Sequence, residues 1–239
     1  MRMPEKEFRG VPIVYEDNHL LVVVKPPNMP TQADASRDAD LLSTMKAYVA
    51  QKYQKPGAVY LGLVHRLDRP VGGLVVIART SKAAERLSRQ VREKTLSRGY
   101  LACVQGSAPE SAVLTDYLLK DEASNTVRVV PEGTPGAKDA KLALWRCGER
   151  DGLSLVRVRL YTGRSHQIRV QLAHAGIPIW GDARYGGGQS GQQIALWGAF
   201  LRLEHPTTHE RMAFCAPPFA FSRPWKGFEM PEAFAELDD

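Results

Sequence analysis

One stretch of the chain, residues 64–78, constrains the fold more than any other. It reads Val-His-Arg-Leu-Asp-Arg-Pro-Val-Gly-Gly-Leu-Val-Val-Ile-Ala, so a charged segment passes through a proline and two glycines into an unbroken apolar run. The apolar run predicts a buried strand, and the glycines allow a conformation or close approach that a side chain would prevent. Asp68 lies between Arg66 and Arg69, and nearby positive charge favours the ionised carboxylate. The stretch predicts an anionic loop residue beside a core strand; a surface turn with an incidental ion pair is the alternative.

The composition is that of a folded, globular chain. Of its 239 residues, 44% are hydrophobic and 24% are charged, and a chain of this length can bury a sizeable core. No apolar run reaches the roughly 20 residues that a membrane-spanning helix needs, and the first residues contain no apolar signal core. The three cysteines are far apart and form no CxxC pair, which indicates neither a disulfide framework nor a zinc site. We therefore expect a cytoplasmic protein without membrane contact and without a bound metal.

The charge is distributed unevenly along the chain. Residues 229–239 carry five acids and no Lys or Arg, whereas residues 64–100 carry nine Lys or Arg against three acids, within a net charge of +6. A basic concentration of this kind favours a polyanionic partner, because each neutralised phosphate releases counterions. Four cations of the segment, Arg86, Arg89, Arg92 and Lys94, lie on a predicted helix, where a solvated face and phosphate contact are both open. The acidic end is predicted to be a frayed surface tail.

Hydrophobic periodicity, together with turn-forming and helix-capping residues, predicts alternating strands and helices. A hairpin is expected over residues 11–24, because two apolar runs flank the turn at residues 16–19. Asp40 and Thr80 are suitable N-caps for helices to about residues 53 and 94, and Gly176 can end a third, short helix that opens after Gly163. Further strands are expected at 72–78, 98–104, 141–145, 153–161 and from 196 onward. Residues 105–140 predict only short strands between loops at 106–109 and 132–136.

A second polar run lies far along the chain from the first. It reads Gly163-Arg164-Ser165-His166-Gln167-Ile168-Arg169 and is followed by Gly-Asp-Ala-Arg-Tyr-Gly at residues 181–186. Together with His65-Arg66-Leu67-Asp68 and the Lys-Pro that ends the hairpin, these motifs resemble those of the RluA-type pseudouridine synthases, in the same order along residues 11 to about 218. The resemblance implies an α+β catalytic domain with a mixed, mainly antiparallel central sheet flanked by helices.

The resemblance also implies an activity, the isomerisation of a specific uridine in ribosomal or transfer RNA to pseudouridine. Asp68 is then the catalytic residue, either as a nucleophile on C1′ or as a base on the sugar. Tyr100 would stack on the uracil, and Arg164 would pair with Asp68 and hold it charged and aimed. Arg66 would fill the space that the extruded base leaves, and Ile168 would pack beneath the base. The implied partner is a structured RNA stem-loop; no cofactor and no obligate protein partner are indicated.

The same side chains also have purely structural interpretations. Tyr100 and Ile168 fit a buried core, and Arg164 fits a structural bridge at a helix start. A glycoside hydrolase would need a second carboxylate beside Asp68, for which Asp182 is the one option and is interpreted here as structural. An RNA-binding protein that has lost catalysis is a further alternative, although it would be free to lose Asp68, Tyr100 and Arg164.

The chain departs from the family pattern at a few positions. Val71-Gly72-Gly73 replaces a hydroxyl-bearing sequence, Arg98 stands where Lys is usual and Trp197 where His is frequent. The first change is expected to affect loop support rather than chemistry, the second keeps the charge, and the third is a minor departure. The resemblance predicts one catalytic domain over residues 1–228, without the S4 RNA-binding module that many relatives carry in front, and an acidic tail over residues 229–239.

Overall fold

The computed structural model describes residues 6–54, 56–218 and 224–231. The described residues of Met1–Arg98 and Gly198–Pro218 form one compact unit, and those of Gly99–Trp197 and Phe219–Asp239 form a second. That residues 1–228 act as one catalytic domain stays a prediction, and the predicted acidic tail lies outside the described residues from residue 232 onward. No helix in the described ranges is long and apolar enough to cross a membrane.

The described chain contains strands and three helices in the following order. They are β1 (Glu7–Phe8), β2 (Val11–Glu16), β3 (Leu20–Lys25), α1 (Leu41–Lys52), β4 (Gly62–Leu63), β5 (Gly72–Ala78), α2 (Ser81–Arg92), β6 (Ser97–Gln105), β7 (Ser111–Asp121), β8 (Thr126–Val130), β9 (Lys138–Arg150), β10 (Leu153–Leu160), α3 (Gln167–His174), β11 (Leu196–Glu204) and β12 (Arg211–Cys215).

The sheet of the first unit is built around β5. Its strands follow the order β1-β2-β3-β5-β11, with β12 on β11 and β4 on β5. Every residue of β5 is buried, as the apolar run predicts. Gly73 has a φ of +132°, and a Cβ there would lie 2.4 Å from the backbone N and O of Gly198 in β11. Only glycine permits this close approach of two strands, which confirms the role expected for Gly73.

Local signals set the ends of the helices. The Asp40 carboxylate accepts a hydrogen bond from the Ser43 N–H at 2.9 Å, and the Thr80 hydroxyl accepts one from the Ala83 N–H at 3.1 Å. Both bonds satisfy a backbone donor that has no partner within the helix. Gly176, just after α3, has a φ of +78°. The three predicted helices are therefore confirmed at the positions that their capping residues indicate.

The second unit contains an antiparallel sheet in the order β6-β10-β9-β7-β8. Helix α3 covers one face of this sheet, where Val170 packs with Leu118, Val127 and Ala140. Cross-strand partners point to the same side of a sheet, so the register places Tyr100 on that covered face, through its pairing with Val158.

The expectation of only short strands over residues 105–140 is wrong. β7 is 11 residues long, and β9 begins at Lys138 and runs for 13 residues. The pattern of β7 conceals a strand because a polar residue, Asp116, points to the covered face while Val113 is 59% exposed on the other. Asp116 is tolerated there because its carboxylate accepts a hydrogen bond from the Gln171 amide at 2.7 Å. The two loops at 106–109 and 132–136 are confirmed.

Candidate active site

The Asp68 segment forms the loop between β4 and β5 in the first unit. Leu67 is buried, and its backbone is held on both sides by Thr31, whose hydroxyl accepts from the Leu67 N–H and donates to the Leu67 carbonyl at 2.8 Å. The Asp68 carbonyl accepts from the Val71 N–H at 3.0 Å, which closes a tight turn. Leu67 anchors the loop from below, Arg66 is exposed and Asp68 is half-buried.

The second arginine of the motif, Arg69, forms hydrogen bonds with residues outside the motif. The Arg69 guanidinium donates to Asp38 and to the Ser36 hydroxyl, and it lies 3.8 Å from Asp34. All three partners belong to the loop before α1, about 30 residues upstream. Proximity in sequence to Asp68 therefore does not identify the main partners of Arg69.

A buried lysine lies beneath the loop. Lys25, at the end of β3, is 0% exposed, and its ammonium donates to the carbonyls of Pro26, Met29 and Arg69 at 3.0, 2.7 and 3.1 Å. Burial lowers the pKa of Lys25 from 10.5 to about 7; the negative charge of Asp68 opposes this shift, and the positive charge of Arg69 adds to it. The ammonium ties the β3 end to the residue after Asp68 and places a positive charge near its carboxylate.

The histidine of the same motif is enclosed. The His65 Nε2 accepts a hydrogen bond from the Val76 N–H in β5 at 3.1 Å, so the proton is on Nδ1, which has no partner among the described residues. Burial, assisted by the positive charge of Arg98, lowers the pKa of His65 to about 3. His65 is therefore neutral at physiological pH and joins the start of the loop to the core strand.

Three predicted site residues lie in the second unit. Tyr100, in β6, is 6% exposed, and Ile168, in α3, is 4% exposed. The third, Arg164, precedes α3: its Nε donates to the Asp139 carbonyl at 2.8 Å and its Nη2 to the Asp139 carboxylate at 2.6 Å. Tyr100 and Ile168 therefore fit both their structural and their functional interpretations, and the pairing of Arg164 with Asp68 stays a prediction.

A buried ion pair stabilises the segment after α3. Arg169 makes two parallel hydrogen bonds of 2.8 Å to the Asp182 carboxylate, which also accepts from the backbone N–H groups of Arg184 and Tyr185. Burial raises the pKa of Asp182, but these hydrogen bonds outweigh it and leave the pKa below its usual value. Asp182 is thus engaged in holding its own loop, which supports the structural interpretation and weakens the glycoside hydrolase alternative.

In the first unit the predicted residues lie on one loop, whereas in the second they are distributed over β6, α3 and the segment before α3. The β4–β5 loop carries Arg66 and Asp68, while the face covered by α3 carries Tyr100. Sequence reasoning missed Lys25 as a site residue, although a lysine that ends the run Leu-Leu-Val-Val-Val was a usable signal. In the described ranges, no three His, Cys, Asp or Glu side chains lie close enough together to hold a metal ion.

The chain resembles known proteins over most of its length. Residues 19–174 match the model of a family described as RNA pseudouridylate synthase. The ribosomal large subunit pseudouridine synthase C of Vibrio parahaemolyticus is 33% identical over 214 residues, which cover 86% of this chain and 65% of that protein. The protein of the same name from Escherichia coli K12 is 34% identical over 222 residues, covering 86% of this chain and 66% of that protein. This chain thus spans just under two thirds of the length of these curated relatives.

A solved structure shows the same fold. The human RNA pseudouridylate synthase domain containing 1 superposes with a TM-score of 0.71 and 22% identity, covering 98% of this chain and 96% of the human one. This likeness, together with the antiparallel pairings and three helices described above, confirms the predicted α+β fold with a mainly antiparallel sheet.

Proposed function

This chain belongs to the RNA pseudouridylate synthase family, and from that premise we propose that it isomerises a uridine of ribosomal RNA to pseudouridine. The match over residues 19–174 carries the proposal, because it contains both the Asp68 loop and the segment from Gly163 to Arg169. The names of the relatives refer to the large ribosomal subunit, which favours ribosomal over transfer RNA as the substrate.

The reaction divides naturally into three changes at the nucleotide. The glycosidic N1–C1′ bond breaks, the uracil turns, and a new bond joins C5 to C1′; the proton that leaves C5 is balanced by the one that N1 gains. No group is added or lost, so the reaction needs neither an oxidant nor an energy source. The target base must leave its stack first, which costs a few kcal/mol.

Asp68 is proposed to act on the sugar, as a nucleophile at C1′ or as a base. Its loop is held from below by Leu67 and Lys25, while its own side chain is half-buried and within reach of solvent. The geometry thus supports a pre-positioned carboxylate, which either role requires.

The remaining residues are proposed to receive and hold the nucleotide. Arg66 is exposed beside Asp68, and its planar guanidinium can stack and donate at once in place of the extruded base. Tyr100 is proposed to stack on the uracil, and Ile168 to pack beneath it. Arg164 is proposed to pair with Asp68, for which it would exchange its hydrogen bond to the Asp139 carboxylate, whose side chain is 67% exposed.

The first test of this function is to map pseudouridine in RNA. Purified protein is incubated with ribosomal and with transfer RNA from cells that lack the gene, and modified positions are read by sequencing. We expect one or a few modified uridines in the large-subunit RNA. Modification of transfer RNA alone would overturn the choice of ribosomal RNA, and no modification of either by a folded protein would favour an RNA-binding protein without catalysis.

The second test replaces the proposed catalytic group. Asp68→Asn keeps the size of the side chain but cannot carry a negative charge, so we expect pseudouridine formation to fall below detection while RNA binding persists. Binding is measured by filter retention and turnover by mass spectrometry. A folded Asp68→Asn protein that kept substantial turnover would remove Asp68 from the mechanism.

A further inference from the structure

Strands β9 and β10 carry cations interleaved with aromatic rings on one face. The Arg157 guanidinium lies 5.3 Å from the centre of the Trp145 ring, and Arg159 and Lys141 lie 5.2 and 5.3 Å from the Tyr161 ring. The register pairs Arg157 with Trp145 directly across the strands. We call these five residues the basic–aromatic strip.

The strip lies on the face of the second unit's sheet opposite α3, where Lys141 is exposed and the other four residues are half-buried. Towards β6 the same face is buried, since Leu101, the cross-strand partner of Arg157, is 0% exposed. Along β9 and β10 the alternate residues, among them Leu142, Leu144 and Val158, are fully buried and point to the other face, which α3 covers. On the neighbouring strand β7, the residues that share the strip's face include Val113, which is 59% exposed. Because Tyr100 is on the covered face, the strip lies on the opposite side of the sheet from it.

The three cations of the strip have no acidic partners among the described residues. In the described ranges, no carboxylate lies within 4 Å of Lys141, Arg157 or Arg159, whereas Arg146 on β9 is paired with Glu149 at 2.9 Å. The Nε of Arg157 is buried, and no residue in the described part of the chain forms a hydrogen bond with it. Nothing within the described chain neutralises this charge, so the strip is complementary to an anionic partner.

The aromatic rings narrow the chemistry of that partner. A phosphodiester backbone presents a row of negative charges, and its bases present flat faces that stack on tryptophan, tyrosine or arginine. An acidic peptide would pair with the cations, but it has no flat bases to stack on the rings. A groove that combines cations with aromatic platforms is the arrangement that binds nucleic-acid strands without reading their sequence.

We propose that the basic–aromatic strip is a second RNA-binding surface, which holds the backbone of the substrate RNA at nucleotides away from the target uridine. The inference rests on the proposed function for the identity of the RNA. It predicts that a long ribosomal RNA fragment gains affinity from the strip, whereas a minimal stem-loop containing only the target uridine and its closing base pairs does not.

The test removes two charges of the strip and compares the salt dependence of binding. The plot of log K against log salt concentration has a negative slope, and each lost phosphate contact reduces its magnitude by about 0.7 to 0.9. We therefore expect Lys141→Gln/Arg159→Gln to reduce the magnitude of the slope for the long fragment by about 1.4 to 1.8. The matched control, Arg9→Gln/Lys46→Gln, removes two exposed charges from the other unit, outside the basic segment 64–100, and should leave the slope unchanged. The kcat/KM on the minimal stem-loop should be the same in all three proteins.

Several outcomes would overturn the proposal. These are a strip variant with the wild-type slope, a control variant with the same reduction, and a strip variant that loses affinity for polyglutamate but not for RNA. If the double variant fails to fold, Lys141→Gln alone, at an exposed position, should show half the change in slope. A wild-type protein that forms no pseudouridine but binds RNA through the strip would refute the proposed function and leave the second surface in place.

Discussion

Replacing Lys25 by methionine tests whether the buried ammonium positions the Asp68 loop or only fills the core. Methionine occupies a similar volume but cannot donate, so the carbonyls of Pro26, Met29 and Arg69 lose a shared partner. The Arg69 carbonyl belongs to the residue after Asp68 in sequence. The substitution therefore releases the loop at the point nearest the proposed catalytic carboxylate.

Two large terms oppose each other in the stability of this variant. The pKa of Lys25 falls from 10.5 to about 7, so the environment disfavours the charged form by on the order of 5 kcal/mol, at 1.36 kcal/mol per pKa unit. Three hydrogen bonds from a charged donor contribute about 1.5 to 3 kcal/mol each. Because methionine removes both terms, we expect the free energy of unfolding to change by no more than about 4 kcal/mol.

Turnover should respond more strongly than stability. A displacement of a catalytic group by about 1 Å can cost roughly 100-fold in rate, so we expect Lys25→Met to lower kcat by about that factor with little change in KM. The assays are single-turnover pseudouridine formation and urea unfolding, with Lys46→Met, at an exposed position of α1, as the control. A Lys25→Met protein that kept wild-type kcat would refute a positioning role.

The pH dependence of unfolding gives an independent check on Lys25. Above pH 7 the folded protein has lost a proton that the unfolded chain keeps until about pH 10.5. The unfolded state therefore binds more protons, and this group makes the free energy of unfolding rise with pH across that window. We expect the rise in the wild type and its absence in Lys25→Met.

Three further substitutions address the other site residues. Arg66→Ala should reduce kcat/KM on structured RNA more than on an unstructured oligonucleotide, since only a stacked duplex has a gap to fill; equal losses would exclude that role. Arg164→Gln should reduce kcat much more than Asp139→Asn, and equal reductions would assign Arg164 to its observed pair. Burial lowers the pKa of His65 to about 3, so between pH 6.5 and 3 only the unfolded chain gains a proton there. Stability should therefore fall over that window by on the order of 5 kcal/mol more in the wild type than in His65→Gln, measured by urea unfolding.

Local signals allowed the sequence to predict most of the fold. Asp40 and Thr80 cap their helices through bonds to residues three positions away, and such short-range chemistry is visible in a single sequence. β7 was not predicted as a long strand because its inward Asp116 depends on Gln171, 55 residues later in the chain. When an inward polar residue of a strand is stabilised by a hydrogen bond to a residue far along the chain, the strand cannot be recognised from its own sequence.

The same is true of the candidate site: the sequence predicts its local motif but not the contacts made by residues distant in the chain. The motif around Asp68 identifies the loop, but its charge spacing suggests Arg69 as the neighbour that balances the carboxylate. In the folded chain Arg69 donates to Asp38, while Lys25, from 43 residues upstream in the sequence, lies beneath the loop.

Because Asp68 lies near Lys25, Asp68→Asn affects the stability of the loop as well as the proposed catalytic group. Asp68 raises the pKa of Lys25 against the effect of burial, so the two charges stabilise each other and removal of either weakens the other. Loss of the carboxylate would leave a buried ammonium with less compensation directly under the loop. A decrease in turnover in Asp68→Asn therefore identifies a catalytic group only when the loop is shown to keep its place. Unchanged RNA binding and an unchanged free energy of unfolding supply that condition, and Lys25→Met shows how large the loop effect is when Asp68 itself remains.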